Sequence, residues 1–318
     1  MLLKRATNNL RIGKNAVRYR AIYSWVFLLA AWVPLTTCTS VDSMMPPCTP
    51  VHYQRQICYF NESFDITLDG NFDEPAWTFA SASWEQVDFT KGKGTLPEND
   101  ADASFEFACV ADSNNMYFAF NVTDNVWKTE HNLNERCIFY FDDSLEITID
   151  QDSGSTKEYD GDDAQITVKA LSEDDLQLVA GGCSDSADIL RGGELEELEG
   201  ALKLNLDETS KYCGFSVELS VPLKTTVGDR GWDIVPYDGN TIGFQAGFND
   251  RDNDDAQKRD HKLIWGKKDQ KNDLTWTTPA YLETLEFCHV DDNLVPGAGA
   301  DSATADQIDT EMFLPSQN

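Results

Sequence analysis

Basic residues are scarce in this chain. Over 318 residues, 25 Lys and Arg stand against 55 Asp and Glu, a formal charge of −30. Six of the 25 (Lys4, Arg5, Arg11, Lys14, Arg18 and Arg20) fall in the first 37 residues, which hold no acid, so the remainder carries 19 basic against 55 acidic residues, or −36. Such a field repels phosphate backbones and anionic lipid and argues against nucleic acid as a partner. It attracts Ca²⁺, and it also suits a soluble secreted protein. Histidine is rare, at four residues, and there is no CxxC pair or Cys/His cluster, so zinc has no ligand set. No GxSxG, P-loop or GxGxxG pattern occurs, which removes the common signatures of acyl transfer, phosphate binding and dinucleotide binding. Tandem repeats are absent. So is an apolar run of the ~20 residues that a membrane-spanning helix needs.

What is present begins with a targeting pattern. The basic stretch precedes an apolar run at residues 21–35 (AIYSWVFLLAAWVPL), a length that suits a signal peptide. The run ends in Leu35-Thr36-Thr37-Cys38, which resembles a bacterial lipobox except that Thr37 stands where a Gly, Ala or Ser is expected. Cleavage nearby, lipidation at Cys38 and an uncleaved anchor are the three readings. All of them export the chain to an extracellular, periplasmic or outer-membrane-associated location. Eight cysteines on an exported chain predict disulfides. Cys48 and Cys58 flank a short arm, and Cys183 and Cys213 flank an acidic insert, so each pair is a candidate bridge. Cys109, Cys137 and Cys288 remain in the folded zone, an odd number that leaves room for a free thiol.

Composition divides the chain into an export segment at 1–37, a tether at 38–60, a folded domain at 61–290 and a disordered acidic tail at 291–318. The folded domain reads as strands. Phe105, Phe107 and Cys109 alternate with Glu106 and Ala108, the period of a half-buried strand. Residues 112–115 signal a turn, and 116–122 (MYFAFNV) return as the second arm of a hairpin. Residues 145–149, 165–168, 202–206, 215–221 and 242–248 follow, separated by Gly and Asp/Asn clusters. Only 192–201 reads as helical. Many short strands with polar turns predict an all-β sandwich or barrel.

Five motifs then fall in order. They are Asp69-Gly70 with Asp73-Glu74 and Trp77; Asp143-Ser144-Leu145-Glu146-Ile147-Thr148-Ile149-Asp150; Asp162-Asp163-Ala164-Gln165; Ile242-Gly243-Phe244 with Asn249-Asp250; and Trp265-Gly266 with Trp276 and Pro279. Together, over about residues 60–288, they resemble the family 9 carbohydrate-binding modules. The resemblance implies an antiparallel, jelly-roll-like β-sandwich that binds poly- or oligosaccharide without catalysis, often in the service of polysaccharide degradation. It also implies that structural Ca²⁺ occurs in some members.

By this resemblance, the two rings that hold the sugar are Tyr140 and Trp276, and Glu146 is the carboxylate that bonds sugar hydroxyls. Stacking rings cover the apolar face of a pyranose, and planar polar side chains pair with its hydroxyls. Thr167 stands where the family has an arginine, and Gly247 where it has a glutamine, so the ligand is expected to differ from the family's usual one. Independently, Asp250, Asp252 and Asp254 alternate as oxygen ligands of a calcium loop would, although Asp255 occupies the glycine position of an EF-hand. No organic cofactor is expected. Two other classes compete with sugar binding: a haem b-binding redox sandwich using Met116, His131 or His261, and a protein-binding surface scaffold.

Overall fold

The computed structural model describes residues 55–80, 85–87, 96–130, 139–153, 158–182, 189–254, 259–266 and 274–292. The strands, in chain order, are β1 (Arg55–Phe60), β2 (Glu85–Val87), β3 (Ala103–Ala111), β4 (Asn115–Asp124), β5 (Ser144–Asp150), β6 (Asp163–Ala170), β7 (Leu178–Gly181), β8 (Leu190–Arg191), β9 (Glu199–Leu206), β10 (Tyr212–Pro222), β11 (Lys224–Val227), β12 (Arg230–Asp233), β13 (Thr241–Asp250), β14 (His261–Trp265) and β15 (Glu283–His289). Every strand expected from alternation is present. The β3–β4 hairpin turns where expected, because the Asp112 carboxylate accepts from the backbone N–H groups of Asn114 and Asn115 at 2.6 and 2.7 Å.

One ladder runs β7-β6-β5-β13-β15-β1-β3-β4-β10-β9, with β14 beside β13, β2 beside β3 and β8 beside β6. It folds on itself, so that β13 faces β3, β4 and β10 across an aromatic core. Phe244 lies 5.7 Å from Phe107 and 5.1 Å from Phe118, and Phe248 lies 5.8 Å from Phe215. This is the expected sandwich. It is not wholly antiparallel, since β1 runs parallel to both β15 and β3. Thus residues 55–60, assigned to a tether by composition, fill a sheet position; their apolar residues Ile57, Cys58 and Tyr59 are buried.

Two further differences have local causes. β3 is buried on both faces, not one, because Ala108 and Val110 meet a second apolar cluster built by Ile57, Tyr59, Phe64 and Trp77. Part of that cover is helix α1 (Pro75–Ala80), in a stretch where no helix was expected; Pro75 suits its first turn, and Ala76, Trp77 and Ala80 form its buried side. The stretch 192–201, expected to be helical, is instead a 3₁₀ turn (Gly192–Glu194) followed by β9. At Gly192 a Cβ would lie 2.8 Å from the Gly181 carbonyl oxygen, a close backbone approach that a regular helix does not make.

Cys58 pairs with Cys109, its register partner across β1 and β3. This overturns the Cys48–Cys58 loop, and it removes Cys109 from the cysteines left over. Cys288 is disulfide-bonded as well. Cys48, Cys137 and Cys183 lie outside the described residues, as do the export segment and nearly all of the acidic tail. Among the described residues no helix is long and apolar enough to cross a membrane. The Cys58–Cys109 bridge closes a separation of 51 residues, for which chain entropy gives about 4 kcal/mol. Replacing both cysteines with alanine should lower the urea midpoint accordingly, and a loss below ~1 kcal/mol would contradict it.

The Asp69–Trp77 motif has a physical explanation in Glu218, a fully buried carboxylate on β10. It accepts from the N–H groups of Asp69 and Gly70 at 2.9 Å and from the Trp77 indole at 3.0 Å. Gly70, at φ +83°, permits the turn. Burial pushes the Glu218 carboxyl up to about 7, against the pull of its three donors. A raised carboxyl favours folding fully below its ordinary value near 4.5 and loses that contribution as pH rises through 7. The stability advantage of wild type over Glu218→Gln should therefore shrink by roughly 3 kcal/mol between pH 4.5 and 7.5. Parallel pH profiles in urea denaturation would contradict this.

Candidate functional site

Alternation on three adjacent strands builds a polar strip. Leu145, Ile147 and Ile149 of β5, Ala164, Ile166 and Val168 of β6, and Ile242, Phe244, Ala246 and Phe248 of β13 belong to the core. The intervening residues therefore point the other way. Register aligns them in rows: Thr167–Glu146–Gly247, Gln165–Thr148–Gln245, and Ser144–Asn249–Lys262, the last reaching β14. All of these side chains are buried.

Glu146 is bonded at both oxygens, by the Asn249 amide at 2.9 Å and by the Lys262 ammonium. Asn249 also donates to the Ser144 hydroxyl at 3.1 Å, and its carbonyl oxygen accepts from Arg259 at 2.5 Å. Two groups break this pattern of satisfaction. The Thr167 hydroxyl and the Gln245 carbonyl oxygen are buried without any hydrogen-bond partner, a condition that native proteins usually relieve with water or ligand. The strip thus carries an amide from Gln245 on the same face as Gly247, two residues away. A Cβ at Gly247 would stand 3.2 Å from the Leu263 carbonyl oxygen and 3.7 Å from both the Gln245 amide nitrogen and the Lys262 side chain, so the glycine fits a closely lined place on the strip.

The two ring candidates are attached near opposite ends of the strip. Tyr140 sits half-buried in a 3₁₀ turn (Phe139–Phe141). The Arg259 guanidinium lies 5.3 Å from its ring centroid, and because Arg259 is bonded to Asn249, Tyr140 belongs to the Ser144–Asn249 row. Under that turn lies a buried ion cluster in which Asp142 bonds both Lys169 and Arg251, while Lys169 also lies 5.2 Å from the Phe139 ring. Trp276 is half-buried in a turn whose Thr275 carbonyl accepts from the Tyr159 hydroxyl. Tyr159 shares an apolar cluster with Leu282, and Leu282 lies over Gly243, toward the Asp150 end of β5. Glu146 and Gln245 fall between the two ends.

The calcium triad is divided. Asp250 and Asp252 come together with Asp124, and Asp252 also groups with Asp102 and His261. Asp254 is exposed and bonds Lys128 at 2.8 Å instead. Burial first, then the neighbouring carboxylates, pushes Asp124 up to about 7 and Asp250 up to about 10. A second acidic group, Asp160, Asp162 and Asp163, largely bonds its own loop backbone, as in the 2.5 Å contact from the Asp160 N–H to Asp163. The haem candidates lack a common site. Met116 is sealed in the main core, the His261 Nε2 atom lies 3.5 Å from Asp102 and 3.7 Å from Asp250, and His131 is outside the described residues.

Sequence reasoning missed Gln245, Asn249, Arg259 and Lys262. The first two were legible in the alternation Gly243-x-Gln245-x-Gly247-x-Asn249. Arg259 and Lys262 carried no signal: pairing of β14 with β13 brings Lys262 to the strip, and Arg259, just before β14, reaches it by donating to Asn249.

The chain belongs to the family described as carbohydrate family 9 binding domain-like, whose pattern matches residues 68–287. Two solved structures of a family 9 carbohydrate-binding module from Caldicellulosiruptor kristjanssonii are similar at 18% identity and a TM-score of 0.50. One is a complex with cellotriose, the other with glucose. The similarity covers 75% of this chain and 96% and 98% of theirs, respectively, and it supports the sandwich fold. No curated protein matches the chain.

Proposed function

We propose that this protein is an exported, non-catalytic module that binds poly- or oligosaccharide on the polar strip of β5, β6, β13 and β14. The observation that carries the reading is the pair of unpartnered, buried groups, Thr167 and Gln245, set between Tyr140 and Trp276. A buried polar atom left unmade costs about 1–3 kcal/mol, and sugar hydroxyls, which donate and accept, satisfy both kinds of group. Family membership supports the reading, and the cellotriose and glucose held by the two similar structures name the first ligands to test. Trp276 supplies the larger stacking ring, and Tyr140 the smaller one, with a guanidinium 5.3 Å from its centroid. Glu146 retains lone pairs for a hydroxyl beyond its two protein bonds.

Export is supported by the basic–apolar N-terminus and by the Cys58–Cys109 bridge, which an oxidising compartment favours. Service to polysaccharide degradation follows from the same reading. A glycan array probed with the purified protein, followed by affinity electrophoresis on the positive polysaccharides, tests it. Saturable binding to at least one glycan is expected, and uniform absence of binding would overturn it.

A further inference from the structure

The strip is polarised in charge. Toward Trp276, Asp150 and Asp163 stand opposite each other in register on β5 and β6. Toward Tyr140, alternation puts Lys169 on the face of Thr167, and pairing with β14 sets Lys262 beside Asn249. Arg251 joins this end through Asp142, and Arg259 through Asn249. Cations thus gather at one end of the strip, in a chain whose formal charge is −30.

All but one of them have a counter-ion. Lys169 and Arg251 share Asp142, Arg251 also bonds Glu130 at 2.8 Å, and Lys262 bonds Glu146. Arg259 has no ion pair among the described residues. Its hydrogen bond goes to the neutral Asn249 carbonyl oxygen. Asp260, next in sequence, instead accepts from the backbone N–H groups of Asp252 and Asn253 at 2.8 and 2.9 Å. Arg191 and Arg230, by contrast, both pair with Glu194. A guanidinium is always charged and carries five N–H donors in a rigid fork. One is given to Asn249, and the others have no acceptor among the described residues. The Asn249 bond and the Tyr140 ring, 5.3 Å away, hold the group half-buried at the strip.

We propose, on the reading that the strip seats a sugar, that this sugar is acidic and that Arg259 receives its carboxylate or sulfate at the Tyr140 end. Both oxyanions accept paired N–H bonds from a guanidinium, and such bonds are shorter and stronger than those to a neutral hydroxyl. Asp150 and Asp163 repel the same group from the Trp276 end, so the acidic unit fixes which way the saccharide lies. The field of the remaining acids works against long polyanions. Screening beyond about 8 Å at physiological salt spares a saccharide with isolated charges. The fit is therefore to a sparsely charged chain rather than a uniformly charged one.

A glycan array carrying uronate-bearing and sulfated oligosaccharides, each beside its carboxyl-reduced or desulfated form, tests this, with calorimetry at physiological salt on the pairs that bind. At least one acidic form should bind about tenfold more tightly than its neutral partner, the margin of a charge-assisted bond over a neutral one. Preference within the carboxyl pairs assigns a uronate, and preference within the sulfate pairs a sulfate ester. Arg259→Gln, which can still donate to Asn249, should bring the two affinities within about twofold of each other. Arg259→Lys keeps the charge without the fork and should retain only part of the preference. Neutral forms that bind wild type as tightly as their acidic partners would overturn the inference and leave the sugar reading in place, as would an Arg259→Gln variant with the full preference. Binding to no glycan would overturn the sugar reading, and this inference with it.

Discussion

Asp142→Ala is expected to lower stability by about 3–5 kcal/mol, the cost of breaking a buried ion cluster by removing its anion. Asp142, Lys169 and Arg251 are each essentially excluded from solvent. Asp142 bonds the Lys169 ammonium with one oxygen and the Arg251 guanidinium with the other, the latter at 3.3 Å. Without it, two buried cations lose the carboxylate they share, while Glu130 stays 2.8 Å from Arg251. Asp142→Asn keeps the volume and loses the charge, so it should fall between wild type and alanine. The effect should reach the candidate site as well. Asp142 follows the turn that carries Tyr140, and Lys169 lies 5.2 Å from the ring of Phe139. Urea denaturation followed by tryptophan fluorescence measures the loss, and an alanine variant within ~1 kcal/mol of wild type would show that the cluster bears little load.

Trp276→Ala is the second large effect, this time on binding. A ring that stacks on a pyranose acts as an interface anchor, whose removal costs about 2 kcal/mol, or roughly 30-fold in affinity. Stability should change little, because Trp276 is half-buried in a turn outside the strands. Tyr140→Ala should cost less, since a phenol ring offers a smaller stacking face than an indole. Equal losses at the two positions, or unchanged affinity in Trp276→Ala, would contradict the assignment of roles.

The sandwich was legible because alternation is local. The runs around Phe105, Ile147 and Phe244 announce strands whatever their neighbours are. The position of β1 was not legible, because a short segment following a Pro-containing arm becomes a strand only through parallel partners contributed by residues 283–289 and 103–111. The Cys58–Cys109 bridge depends on that same placement. Glu218 explains the Asp69–Trp77 motif but lies far from it in sequence, so the motif could be recognised without its reason. At the candidate site, Glu146 was found through motif order, and Gln245 was hidden by attention to Gly247, although both lie on one face. The acidic cluster shows the limit most clearly. Spacing alone pointed to Asp250, Asp252 and Asp254, whereas the fold replaces Asp254 with Asp124, over a hundred residues earlier.

The central claim, that the strip with unpartnered Thr167 and Gln245 receives a sugar, is tested most directly by titration calorimetry of wild type and Gln245→Ala with a glycan that wild type binds. Truncating Gln245 removes no hydrogen bond that the protein makes for itself, so the melting temperature should hold. Affinity should fall about tenfold or more, as expected when a ligand hydroxyl loses its partner in a desolvated site. Equal affinity in the two proteins would contradict the account and place the sugar elsewhere.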